Sequence, residues 1–308
     1  MVHVVFRHGD RSPISHYPTD PYSARSEWPV GPGQLTSVGK RQHFLLGQRL
    51  RQLYGPGSLL AEVYSEEEVQ VRSTDVDRTL MSAQANMAGL FPPSGYLEWN
   101  PQLAWQPVPV HTVAQERDAL LSSTHSLCPR LVRLREEAAA SDWAARIYRD
   151  NEELLRYLTR HTGETIDSIL KLDWLYDTLL VEQLYNKTLP DWTHQVFPGG
   201  KFEEIRNLVF ILGSLTHEMK RLQAGPFLNQ LVSDWREVEA GSKMKMKIFS
   251  AHDDTLTFIL NSLGVYDGQA PAYASAILFE FYQLEDQTYR QIERQWLVTV
   301  VLTVFISV

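Results

Sequence analysis

The sequence predicts an α/β fold: a mixed, mostly parallel central sheet with helices on both faces, plus an inserted, mainly helical cap. Three observations predict it. A short apolar strand, a polar loop and then a helical pattern recur at three places in the chain. A long middle stretch holds few strand candidates and many helical ones. The polar loops all follow strands, where open α/β sheets form their ligand crevice. The expected division is a discontinuous core, residues 1–91 and 241–308, with the cap at 92–240.

The first unit begins with Val2-His3-Val4-Val5-Phe6, which reads as a core strand and not as a secretory signal. The loop RHGDRSP follows, and the helix carries Leu46, Leu50, Leu53 and Tyr54 on one face. The second unit is Val69-Gln70-Val71-Arg72, a polar STD loop, and a helix in which Leu80, Ala83, Met87, Leu90 and Phe91 share a face until Pro92-Pro93. The third is Lys247-Ile248-Phe249-Ser250, the loop Ala251-His252-Asp253-Asp254, and a helix stopped at Gly264. Between the second and third, residues 141–160, 165–185 and 202–223 read as long helices. At the far end Trp296 to Val308 is nearly uncharged but shorter than the roughly 20 residues of a spanning helix. Its Val, Thr and Ile content suits a buried strand, with a truncated membrane anchor or an aberrant end as the other readings.

With 29 Lys+Arg against 37 Asp+Glu, a net charge of −8 and no basic block, nucleic acid is not an expected partner. A lone Cys128 excludes an intramolecular disulfide, a multi-cysteine zinc site and an all-cysteine iron–sulfur cluster. His3, His16, His43, His125, His161, His194 and His217 show no metal spacing, so neither a metal nor a cofactor is expected.

The chemistry concentrates in the three loops. Arg7, His8 and Arg11 fall within five residues, with Gly9 between them to let the backbone bend. Arginine forks match phosphate or carboxylate oxygens and keep their charge at any working pH. The second loop adds Arg72 and the third adds His252 and Asp253. Brought together, these groups suit phosphoryl transfer: guanidiniums neutralise the phosphate, an imidazole attacks phosphorus, and a carboxyl group protonates the leaving alkoxide. A carboxyl acid implies an acidic optimum. Asp254 beside Asp253 leaves the acid open on residue types alone, since either suits a helix N-terminus.

The segment VVFRHGDRSP resembles the RHGxRxP signature of the histidine acid phosphatases. The likeness continues through EWPVGPGQLTSVGKRQHFLLGQRLRQLY, VRSTDVDRTLMSAQANMAGLFPP, WQPVPVHTV, LPDW, SAHDDTL and YDGQAPAYAS, over about residues 2–290, and is similar to the animal lysosomal, prostatic and testicular branch. The resemblance implies His8 as nucleophile, Arg7, Arg11, Arg72 and His252 as phosphate ligands, and Asp253 as proton donor, favoured over Asp254 by the motif register. It implies small phosphate monoesters as substrates and a lysosomal or secreted location. It also implies a glycan at the Asn186-Lys187-Thr188 sequon and a homodimer through Trp105 and His111. Val181 and Ala276 fall where the branch has one disulfide pair, and Cys128 matches a half-cystine whose partner lies in a segment outside this sequence. A family tryptophan near the phosphate falls at Leu172; Trp174, roughly 200° further round a helix, is expected to face elsewhere. A non-catalytic anion-binding or scaffold protein and a phosphomutase are the rival readings.

Overall fold

Apolar, β-branched runs supply β1 (Val2–Arg7), β2 (Val69–Ser73), β3 (Met246–Ala251), β4 (Ala276–Leu284) and β5 (Gln295–Thr303), one sheet in the order β2-β3-β1-β4-β5. The computed structural model describes residues 1–122, 128–284 and 295–303. His125 and residues 304–308 of the C-terminal apolar run lie outside these. β1 and β2 both pair parallel with β3, whereas β4 runs antiparallel to β1 and β5 antiparallel to β4. The carboxyl ends of β1, β2 and β3 therefore lie along one edge of the sheet. The described part of the apolar run is a strand, paired along the whole of β4.

Side-chain alternation sends Val2, Val4 and Phe6 to one face of the sheet and Val5 to the other. On the first face they meet Leu46, Leu50 and Tyr54 of α1 (Ser37–Tyr54) and Ala83, Met87 and Leu90 of α2 (Asp77–Leu90). Leu53 lies at the margin of the α1 stripe and is exposed. The predicted middle helices become α3 (Pro129–Ala139), α4 (Asp142–Asp150), α5 (Glu152–Thr162), α6 (Ile169–Leu184), α7 (Gly200–Asn207), α8 (Val209–Leu212), α9 (His217–Gln223) and α10 (Gly225–Glu239). Residues 141–160 are not one helix: Asn151 ends α4 and starts α5. Residues 202–223 divide in three, with the Thr216 hydroxyl capping α9.

The cap helices bury a core of their own, including Leu158, Ile169, Leu172, Leu179, Phe202 and Ile205. Contacts with the sheet cross the expected boundaries at both ends. Phe227 and Leu231 of α10 join Leu256 and Ile259 of α11 (Asp253–Leu263) in covering the second face of the sheet. His111 exchanges backbone hydrogen bonds with Val71 and Ser73 beside β2. The sheet needs apolar cover on both faces, so part of the 92–240 segment belongs to the core. Among the described residues no helix is long and apolar enough to cross a membrane.

Candidate active site

The loop after β1 is fastened to α1 and α2 by its backbone. A Cβ on Gly9 would stand 2.5 Å from the Gly39 carbonyl oxygen, so glycine lets the loop lie on the first turn of α1. The Gly9 N–H donates to Ser82 Oγ (3.1 Å) and the Asp10 N–H to Gln42 Oε1 (2.8 Å). His43 donates from Nε2 to the Arg7 carbonyl (3.1 Å); burial drives its pKa down to about 3, so it is a neutral donor.

His8 is buried, with Nδ1 2.9 Å from the Gly9 carbonyl oxygen. A carbonyl only accepts, so the proton sits on Nδ1 and the lone pair on Nε2. Burial, then the charges of Arg7, Arg78, His252 and Arg11, push the His8 pKa well below its ordinary value and keep the ring neutral. The His252 ring stands edge-on to it at 5.6 Å, with Nε2 3.0 Å from Thr74 Oγ1. Burial and Arg78 lower the His252 pKa as well. Asp253 opens α11, with Oδ2 2.9 Å from Arg7 Nη2. Burial opposes its ionisation, yet Arg7, Arg11 and His252 hold it below the usual carboxylate range. Arg11 donates to Asp177 Oδ1 at 2.9 Å. Burial would lower the Arg11 pKa, but Asp177, Tyr273 and Asp253 hold it above its ordinary value.

Five of the six predicted groups thus meet: Arg7, His8, Arg11, His252 and Asp253. Arg72 does not join them. Strand register explains why, since Arg72 aligns with Phe249 and so lies level with Val5, two rows below Arg7. Its guanidinium pairs instead with the buried carboxylate of Asp118. The third cation of the cluster is Arg78, in the first turn of α2. Arg78 is pushed down to about 10 by burial and by Arg11 and Arg7, as expected where like charges crowd together. Its place in the first turn of the helix after a strand was the available signal. Asp177 and Tyr273 were missed because only tertiary contact distinguishes them from ordinary helix and loop residues.

From Arg7 and Arg11 a cavity of about 1290 Å³ opens towards the cap. The expectation for α6 reverses here. Leu172 is fully buried in the cap core, while Trp174 is 52% exposed and lines the cavity with Leu170, Asp173, Asp177 and Leu180. The two positions do face apart, but the cavity lies on the side of Trp174. Asn186 is exposed at the cavity rim, Trp105 is half-buried and His111 exposed. Val181 and Ala276 are buried, and Cys128 is a free thiol preceding α3. Among the described residues no group of three or more His, Cys, Asp or Glu could hold a metal ion.

Residues 1–295 match the model of the histidine phosphatase superfamily (branch 2). The chain is 41% identical over 290 residues to the lysosomal acid phosphatase of Xenopus laevis, covering 92% of this chain and 66% of that protein. It is 40% identical to the prostatic acid phosphatase of Bos taurus (92% and 73% covered) and 43% to the lysosomal acid phosphatase of Homo sapiens (92% and 67%). The chain spans about two thirds of the length of these lysosomal relatives. A Hafnia alvei phytase bound to myo-inositol hexakis sulphate superposes with a TM-score of 0.67 at 17% identity, covering 97% of this chain and 82% of that one, a likeness of fold alone. The residues gathered at the strand ends and the match along the sequence agree, and the chain belongs to the histidine phosphatase superfamily, branch 2.

Proposed function

We propose that the chain is an acid phosphatase that hydrolyses small phosphate monoesters through a phosphohistidine on His8. The observation that carries this is the His8 Nδ1–H bond to the Gly9 carbonyl, which leaves Nε2 as a nucleophile beside three guanidiniums. The phosphate is held by Arg7, Arg11, Arg78 and His252. The Nε2 lone pair forms the N–P bond, the P–O ester bond breaks, and the leaving oxygen takes a proton from Asp253. The imidazolium so formed keeps its Nδ1–H bond to Gly9. Water then attacks phosphorus, its proton passes to Asp253, and the N–P bond breaks to release phosphate.

Asp253 is ionised before substrate arrives, because Arg7 pairs with it. An incoming phosphate takes over Arg7 and Arg11 and raises the Asp253 pKa, so a singly protonated phosphate delivers the proton the step needs. That supports an acidic optimum. The three arginines supply the positive charge for the transferring group, so metal-independent turnover is expected. The same reading gives the protein a lysosomal or secreted location, a glycan on Asn186 and a homodimer through Trp105 and His111, with the relatives' names and the exposed asparagine in support.

The test is hydrolysis of p-nitrophenyl phosphate across acidic to neutral pH, with EDTA and with tartrate. An acidic optimum that survives EDTA and falls with tartrate is the expected result. A folded chain without turnover would return the protein to the anion-binding reading.

A further inference from the structure

Tyr273 takes no part in the phosphoryl transfer, yet its ring packs against three members of the proposed site, Arg7, Arg11 and His8. Its ring lies 4.3 Å from the Arg7 guanidinium carbon, 5.9 Å from that of Arg11 and 5.8 Å from the His8 ring centroid. These are cation–π distances to two guanidiniums that must present their N–H groups to the same anion. Tyr273 is 9% exposed and lines the cavity, and its hydroxyl is buried without a hydrogen-bond partner. A buried unpaired hydroxyl is destabilising and calls for an explanation.

The backbone holds the tyrosine there at a cost. Ala274 adopts φ +59°, a left-handed conformation that a Cβ disfavours. The surrounding bonds maintain it: the Ala274 N–H donates to the His8 carbonyl (3.1 Å) and the Arg7 N–H to the Ser275 carbonyl (3.0 Å). Arg7 itself donates to the Pro271 carbonyl. Strain, an orphan hydroxyl and a double cation–π contact thus converge on one side chain facing the cavity.

We propose that Tyr273 is a phosphate-site residue whose ring positions Arg7 and Arg11 and whose hydroxyl donates a hydrogen bond to the bound phosphoryl group. Burial pushes its pKa up to about 12, so the hydroxyl stays a donor across the working range. The inference rests on the phosphatase reading for its turnover measurements, but inorganic phosphate binding tests it independently.

Tyr273→Phe keeps the ring and removes only the donor. It is expected to lower kcat/KM by about 10- to 100-fold, the loss of one charge-assisted hydrogen bond, and to weaken inorganic phosphate binding about 10-fold. Its Tm should stay level or rise, since a buried unpaired group is removed. A purely structural tyrosine would give the opposite pattern: unchanged phosphate affinity and kcat/KM in Tyr273→Phe overturns the hydroxyl role. Tyr273→Leu removes the ring as well and should weaken phosphate binding further than Tyr273→Phe. Equal phosphate affinity in the two overturns the positioning role. If wild-type chain binds phosphate but turns over no ester, the phosphatase reading fails while the affinity series still decides this proposal.

Discussion

His8 can attack phosphorus only as a neutral ring with its proton on Nδ1, and both conditions are local: burial and three neighbouring guanidiniums set the first, one carbonyl the second. His8→Ala is expected to abolish the phosphoenzyme trapped by rapid quenching with a labelled ester; normal labelling would move the nucleophile elsewhere. Asp253→Ala should slow alkyl phosphates by about 10²–10⁴-fold and phenolic esters much less, because phenolates leave without protonation. Equal losses on both classes would argue against a proton donor. The two arginines of the second unit should separate cleanly. Arg78→Ala removes a cation facing His8 and is expected to cost about 10²-fold or more in kcat/KM. Arg72→Ala should leave kcat/KM near wild type but strip the buried Asp118 carboxylate of its cation, lowering stability by roughly 1–3 kcal/mol. The reverse pattern, measured by kinetics and thermal unfolding, would restore Arg72 to the site.

Elements place these residues by close approach as much as by hydrogen bonds. At Gly39, in the first turn of α1, a Cβ would lie 2.3 Å from the Asp10 carbonyl oxygen, which is backbone and cannot swing away. Gly39→Ala is therefore expected to push the RHGD loop off α1, destabilise by about 1–3 kcal/mol and reduce kcat even where the protein stays folded. A variant with wild-type Tm and kcat would show that the loop tolerates the shift. On α6 the cavity-lining residues that are not buried, Leu170, Asp173, Trp174, Asp177, Leu180 and Leu184, recur at helical spacing. That periodicity was visible in the sequence. Which of the two faces of α6 meets the cavity was not, because both carry large apolar residues and α6 is covered on one side by its own cap core.

Stability of the whole molecule should depend on pH through groups buried in their less usual state. Glu182 is raised well above the usual carboxylate range by burial and the nearby charge of Asp20, and Asp173 is raised to about 7 by burial, against the opposing charge of Arg206. A raised acid gives stability that is complete below its unfolded pKa of about 4 and lost as pH climbs through its folded value. His3, His8 and His43 are lowered by burial, and give stability that is complete above about 6.5 and lost as pH falls. The two trends offset one another between about pH 4 and 6.5, so Tm is expected to peak in mildly acidic solution and to decline above neutrality. Glu182→Gln, which keeps the shape and removes the charge, should flatten the alkaline decline. A decline as steep as that of wild type would remove Glu182 as its source.

By itself the sequence determined the repeated strand–loop–helix units, the class of fold and the loops that bring Arg7, His8, Arg11, His252 and Asp253 together, because strands end and helices begin at signals carried by neighbouring residues. Local alternation and spacing are short-range properties, and VHVVF or the turn at Gly264 shows them directly. Only the tertiary structure decided that Arg78 and not Arg72 faces His8, since that depends on how far β2 is shifted against β3. The same holds for Trp174 facing the cavity, for Asp177 reaching Arg11 across 166 residues, and for Tyr273 lying over two guanidiniums. Each is a contact between segments remote in the chain, fixed by register and by the packing of a separate cap core, and neither quantity is written in any local stretch of residues.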